Sequence, residues 1–268
     1  MTTTSAAPST TSPLAHSDNG VAADLPALLH VPGWCGDRDV FDALLSRNPG
    51  RRAVSVDLPG HGDSADPVTG GGDFGYAEVL DALVATIDHL GLDRVVPVAL
   101  SHAGWAAIDL RERLGADRVP GVVLLDWMVL GTPPGFADAL SGLQSPAWSD
   151  VRAGLFGMWT SGLDVPGLHE YVASMGTYGQ PHWSRAGREI AARFGDCPVP
   201  LAALQPCPTL HVYAQPGDDA VLAAQRDFAS SHPWFEVVRL DARSHFPMFE
   251  VPDRMAEVIE TFASRLGC

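Results

Sequence analysis

An apolar run of β-type residues, Val95-Val96-Pro97-Val98-Ala99-Leu100, stops abruptly at Ser101, and His102-Ala103-Gly104-Trp105 then opens a stretch with helical spacing. Such a chain has to turn from strand to helix within a residue or two. Small residues, Ala99 and Ala103, flank the serine because the turn brings the two backbones too close for a branched side chain. This is the layout of a nucleophile elbow, which lifts one side chain above the carboxyl end of a strand. The usual pattern is Gly-x-Ser-x-Gly, and alanine stands at both glycine positions here. On its own the stretch also fits a tight core turn with an ordinary N-cap serine. The rest of the chain decides between the two.

Short apolar runs on either side point to a parallel sheet. Strands are expected over Ala27–Val31, Arg52–Val56, Val122–Asp126, Leu210–Ala214 and Phe235–Leu240. Between them, Val40–Leu45, Tyr76–Leu90, Gly104–Leu114 and Met255–Leu266 repeat apolar residues at three- and four-residue steps, as amphipathic helices do. Strands alternating with helices imply an α/β fold, a mostly parallel, doubly wound sheet covered on both faces. From Gly131 to about Asp196 the rhythm changes: strand-like runs vanish and aromatic residues accumulate among helical stretches. The expected division is therefore a core at 21–132 and 197–268, with a helical cap inserted at 133–196.

The first 20 residues are rich in Thr, Ser, Ala and Pro and lack both a basic start and an apolar centre, so they are expected to be a disordered leader and not a signal peptide. The chain has 268 residues and a net charge of −15, with no basic stripe to neutralise phosphates. Nucleic acid and anionic membranes are therefore not expected partners. No apolar run approaches the ~20 residues that cross a bilayer. Cys35, Cys197, Cys207 and Cys268 are scattered and are expected to be reduced thiols of a cytoplasmic protein, a monomer or weak dimer. Gly70-Gly71-Gly72 fails as a phosphate loop, because no strand precedes it and no Lys-Ser/Thr follows.

Ligands of open α/β sheets bind beyond the carboxyl ends of the strands. Ser101, Asp126 and His245 fall there, and their order along the chain is that of the α/β-hydrolase fold. Asp126 ends its strand directly. Asp218 and Asp219 compete for the acid's role but stand where a residue would cap the next helix. Backbone N–H groups of Trp34 and His102 could hold negative charge, with the His102 ring turned away from the elbow. No metal-ligand spacing and no Gly-x-Gly-x-x-Gly after the first strand is present, so neither a metal nor an organic cofactor is expected.

Several segments carry a more specific likeness: Pro32-Gly33-Trp34-Cys35, Asp73-Phe74-Gly75-Tyr76, Ser101-His102 with Gly104-Trp105, Asp126-Trp127, Gly154-Leu155-Phe156 with Trp159, Ser231-His232-Pro233-Trp234-Phe235, and His245-Phe246-Pro247 with Val251-Pro252-Asp253-Arg254. In these the chain resembles the cofactor-independent 3-hydroxy-4(1H)-quinolone 2,4-dioxygenases, a branch of the α/β-hydrolase superfamily that opens the ring with O₂ and releases carbon monoxide. The resemblance implies His245 as general base, Asp126 as its orienting acid and Ser101 as a hydrogen-bonding group and not a nucleophile. It implies a small N-heterocyclic substrate with O₂ as co-substrate, bound near Trp34, Gly36, Leu100, His102, Leu155, Trp159 and Trp183. Where members of that family often carry histidine, this chain has Gly36 and Leu100. Both changes make the pocket less polar and Gly36 should make it roomier, which favours a 2-alkyl quinolone of the bacterial signal type. The alternative is a serine esterase or C–C bond hydrolase that uses Ser101 covalently.

Overall fold

The computed structural model describes residues 12–22, 25–64, 73–194 and 206–267. Cys197, Cys268 and the Gly70-Gly71-Gly72 turn lie outside these residues. Seven strands, β1 (His16–Asp18), β2 (Ala27–Val31), β3 (Ala53–Val56), β4 (Val95–Leu100), β5 (Val122–Leu125), β6 (Thr209–Tyr213) and β7 (Phe235–Arg239), form one sheet in the order β1-β3-β2-β4-β5-β6-β7. β1 is antiparallel to β3, and every other pairing is parallel. Every residue of β2 to β6 is buried. That explains why these strands read as unbroken apolar runs and not as alternating ones: helices cover both faces.

The expected disordered leader is corrected at its end. His16, Ser17 and Asp18 pair with Val56, Ser55 and Val54, and Leu14 is buried. Thr86 Oγ1 accepts the Leu14 N–H at 2.8 Å, and Asp18 forms an ion pair with Arg52. A three-residue strand is too short to show a hydrophobic period, and its register comes from the waiting edge of β3.

Between β5 and β6 the described residues form four α-helices, Phe136–Leu143, Trp148–Thr160, Leu168–Ser174 and Gln180–Phe194. The last is fastened to the core by charge. Arg188 bonds Asp73, Arg193 bonds Asp109, and the Arg185 guanidinium lies 3.7 Å over the Phe74 ring. These four helices roof the carboxyl end of the sheet.

Candidate active site

Among the described residues three non-glycine residues have positive φ: Cys35 at 60°, Ser101 at 55° and Asp126 at 44°. Such backbone is costly for residues with a Cβ and marks places that the surrounding structure forces. The three stand just beyond the carboxyl ends of β2, β4 and β5, the adjacent central strands. His245 reaches the same region from the loop after β7. Glu250 accepts the N–H groups of Arg243 and Ser244, at 3.1 and 2.7 Å, and so pins that loop.

A cavity of about 120 Å³ lies between this edge and the cap. The core contributes Gly33, Trp34, Gly36, Leu100, Ser101, His102, His245 and Phe246 to its wall, and the cap includes Leu155, Trp159, Tyr171 and Trp183. The expected base, serine and substrate-contacting residues therefore all line it, and the expected acid Asp126 lies behind, 6% exposed. The Trp159 indole stacks on the His245 ring, centroids 5.5 Å apart and planes 18° from parallel. Among the described residues no hydrogen bond links Ser101, His245 and Asp126.

Burial dominates the electrostatics. Removal from water pushes His245 down to about 4 and His102 to about 3. Both are neutral at physiological pH, so His245 is available as a base. Burial also raises the Asp126 carboxyl well above the usual carboxylate range, against the lowering effect of two N–H donors. Those donors are the backbones of Ala214 and Gln215, 3.2 and 2.9 Å from Oδ1. Oδ2 is buried and has no hydrogen bond. Asp218 and Asp219 do other work: Asp218 caps the helix Asp219–Ser231 through the Ala220 N–H at 2.7 Å, and Asp219 is an exposed partner of Arg239.

Two expectations are corrected here. The Trp34 N–H is not free to hold negative charge, because it donates to His102 Nε2 at 2.7 Å. The His102 ring folds over the Trp34 loop, and a Cβ on Gly33 would stand 3.6 Å from its Cε1, at ordinary van der Waals distance. A nitrogen that accepts from a backbone N–H carries no proton, so the proton of neutral His102 sits on Nδ1. Gly36 does not enlarge the cavity either. A Cβ at Gly36 would overlap the hydroxyl of Tyr171, which fills that space from the cap, and the Asp37 N–H is hydrogen-bonded to this hydroxyl.

Sequence reasoning missed Tyr171 as a wall residue, and it missed Gln215. The Gln215 N–H holds Asp126 and its Nε2 donates to Arg243 O at 2.6 Å, which ties the acid's loop to the histidine's loop. Its position directly after the β6 run was the available signal. Among the described residues no group of three or more His, Cys, Asp or Glu could hold a metal ion, and no helix is long and apolar enough to cross a membrane.

An elbow serine, an acid after the next strand, a histidine after the last one and a helical roof define an α/β hydrolase, and the sequence model of the alpha/beta hydrolase family matches residues 28–258. Within that class the chain belongs to the 3-hydroxy-4-quinolone 2,4-dioxygenases. It is 35% identical over 257 residues, 93% of this chain and 91% of the relative, to the 2-heptyl-3-hydroxy-4-quinolone dioxygenase AqdC1 of Rhodococcus erythropolis. It is 32% identical over 246 residues, 88% of this chain and 91% of the relative, to the 1H-3-hydroxy-4-oxoquinoline 2,4-dioxygenase of Pseudomonas putida. Among solved structures, an AqdC variant in complex with its substrate, the Pseudomonas quinolone signal, superposes with a TM-score of 0.86 at 33% identity, covering 93% of this chain and 95% of that one.

Proposed function

We propose that this protein cleaves 2-alkyl-3-hydroxy-4(1H)-quinolones with O₂, giving an N-acylanthranilate and carbon monoxide. The carrying observation is the neutral His245 ring held parallel to Trp159 in an otherwise apolar cavity, a base set beside a flat wall. His245 takes the 3-hydroxyl proton. The resulting electron-rich anion reacts with O₂ to form a peroxide bridging C2 and C4. Loss of C3 as CO leaves one oxygen atom in the amide carbonyl and the other in the carboxylate. Neither a metal nor an organic cofactor takes part.

The other groups follow from this step. Asp126 Oδ2, which lacks a partner, receives the N–H of His245 and stabilises the imidazolium once the proton has moved. Ser101 Oγ hydrogen-bonds the substrate without attacking it. The backbone N–H and the Nδ1–H of His102 face the charge that develops on the quinolone oxygens. Trp34, Leu100, Leu155, Trp159 and Trp183 enclose the bicyclic ring and its substituent, with Tyr171 standing over Gly36. The long alkyl substituent rests on the apolar cap wall, and AqdC1 carries 2-heptyl-3-hydroxy-4-quinolone in its name. The enzyme works as a monomer or weak dimer in the cytoplasm, with a bacterial signal as its target and neither nucleic acid nor membrane as partner.

Anaerobic assay tests the reading. Turnover should stop without O₂ and return on its readmission with one CO per ring opened, and metal-free protein should keep full activity. Turnover that persists without O₂, or an acyl group trapped on Ser101, would establish the esterase or C–C hydrolase chemistry instead. Comparing kcat/KM for the 2-methyl and 2-heptyl compounds tests the substituent, and a preference for methyl would remove the alkyl assignment.

A further inference from the structure

The Asp126 turn is held almost entirely from β6. Val212 O accepts the Asp126 N–H at 3.0 Å, and the Ala214 and Gln215 N–H groups take Oδ1. These three contacts follow from the parallel register that sets Leu125 beside Val212, and any side chains on β6 would permit them. The fourth contact depends on a side chain. His211 Nε2 accepts the N–H of Trp127, the residue after the strained aspartate, at 3.3 Å.

That contact fixes a proton. A backbone N–H can only donate, so Nε2 must present its lone pair and the imidazole proton must sit on Nδ1. Nδ1 lies 2.6 Å from Gln225 Oε1, an acceptor on the helix Asp219–Ser231. If the amide were reversed, its NH₂ would push the proton to Nε2, and two donors would face each other at Trp127. Both side chains are buried, His211 1% and Gln225 4% exposed, and the Tyr213 ring stacks on His211 with centroids 4.9 Å apart. Burial pushes His211 down to about 4, so its role is constant through the neutral range. The other strained loop has the same arrangement. His61 Nε2 accepts the N–H of Cys35 at 3.0 Å, and its Nδ1 lies 2.9 Å from Pro59 O.

We propose that His211, its tautomer set by Gln225, is a positioning residue for the reaction: it locks the Asp126–Trp127 turn so that Oδ1 is consumed by β6 and Oδ2 is the oxygen left for His245. Neither residue lines the cavity, so their effect reaches the substrate only through Asp126. The inference rests on the proposed pairing of Asp126 with His245.

Gln225→Leu removes the acceptor and frees the tautomer, whereas Gln225→Glu keeps an oxygen on Nδ1. The leucine variant should lose about tenfold or more in kcat, the scale of a catalytic group set slightly out of place, with KM within about twofold. The acidic limb of its kcat profile should move to lower pH, because an ill-set Asp126 supports the imidazolium less; Glu250, the other charged group acting on Asp126, is unchanged. Gln225→Glu should recover most of kcat. Wild-type kcat and pH limb in Gln225→Leu, or equal impairment in both variants, would overturn the proposal. Should the leucine variant fail to fold, imidazole ¹⁵N shifts of the wild-type protein decide it: a proton on Nδ1 of His211 supports the lock, and a proton on Nε2 rules it out. Asp126→Asn separates this inference from its basis. If that variant keeps full kcat, the pairing itself falls and the lock with it; if it is impaired while Gln225→Leu is not, only the lock falls.

Discussion

The two walls of the cavity are built on opposite plans. The core wall presents Ser101, His102 and His245, held by strained turns and backbone hydrogen bonds to strand ends. The cap wall is almost wholly apolar, including Phe136, Leu140, Leu143, Met175 and Ile190, and its one hydroxyl, on Tyr171, is bonded to the core. Proton chemistry needs groups fixed to fractions of an ångström, and a sheet edge supplies that rigidity. Recognition of an alkyl chain needs only apolar surface of the right shape, which helices on an insertion can supply and vary. Losses on the core side should therefore fall on kcat, and losses on the cap side on the choice of substrate.

The sharpest break of this contrast comes from His245→Ala, which should lower kcat by ~10²–10⁴-fold, the range of a lost general base, with little change in KM. A loss confined to KM would move the histidine to the recognition side. A change of pH separates the walls next. His30, His102, His211 and His245 all belong to the core, and burial holds each of them far below 6.5, at about 3 or 4. Because their folded values are depressed, the unfolded chain takes up protons first. Their stabilising contribution is whole above pH 6.5 and drains as pH falls towards 4. Each group removes roughly 1.4 kcal/mol per pH unit in that window, so urea midpoints should drop steeply between pH 7 and 5. A flat profile would show these histidines to be hydrated.

On the cap side, Leu143→Ala or Ile190→Ala should lower kcat/KM for the 2-heptyl substrate by about 10–30-fold, from ~0.8 kcal/mol per methylene left uncovered, and barely touch the 2-methyl compound. Equal losses on both substrates would mean that the cap orders the ring and not the chain. The seam between the walls gives a smaller effect. Gly36→Ala collides with the Tyr171 hydroxyl and should destabilise by ~1–3 kcal/mol, as overpacking does. Adding Tyr171→Phe should return most of that, since the next neighbours of the new Cβ are Gly33 O at 3.3 Å and Tyr171 Cζ at 3.5 Å. Additive losses in the double variant would show that the hydroxyl is not the obstacle. Ser101→Ala should have the smallest effect, less than about tenfold in kcat; an effect as large as that of the histidine variant would require a covalent serine.

The same contrast explains what could be read in advance. β2 to β6 announced themselves because strands buried on both faces are apolar throughout, and the elbow because its turn admits only small neighbours. Ser101, Asp126 and His245 stood out as polar residues at the ends of such runs. The N–H of Trp34 was misjudged because its availability depends on a hydrogen bond to the ring of His102, 68 residues away in sequence. Gly36 misled for a related reason: a missing side chain leaves room only if nothing else enters, and Tyr171 enters from a distant helix. Cap residues such as Leu140 and Ile190 gave no signal, since helical periodicity marks an apolar face without saying whether a neighbour or a ligand covers it.

The short pairing of His16–Asp18 with β3 bears on solubility. Without it, the N–H and C=O groups of Ala53, Ser55 and Asp57 that face β1 would form an open edge on a hydrophobic strand, a template for pairing with another molecule. A chain trimmed just before Asn19 would keep every residue of the cavity and would still be prone to join its neighbours edge to edge.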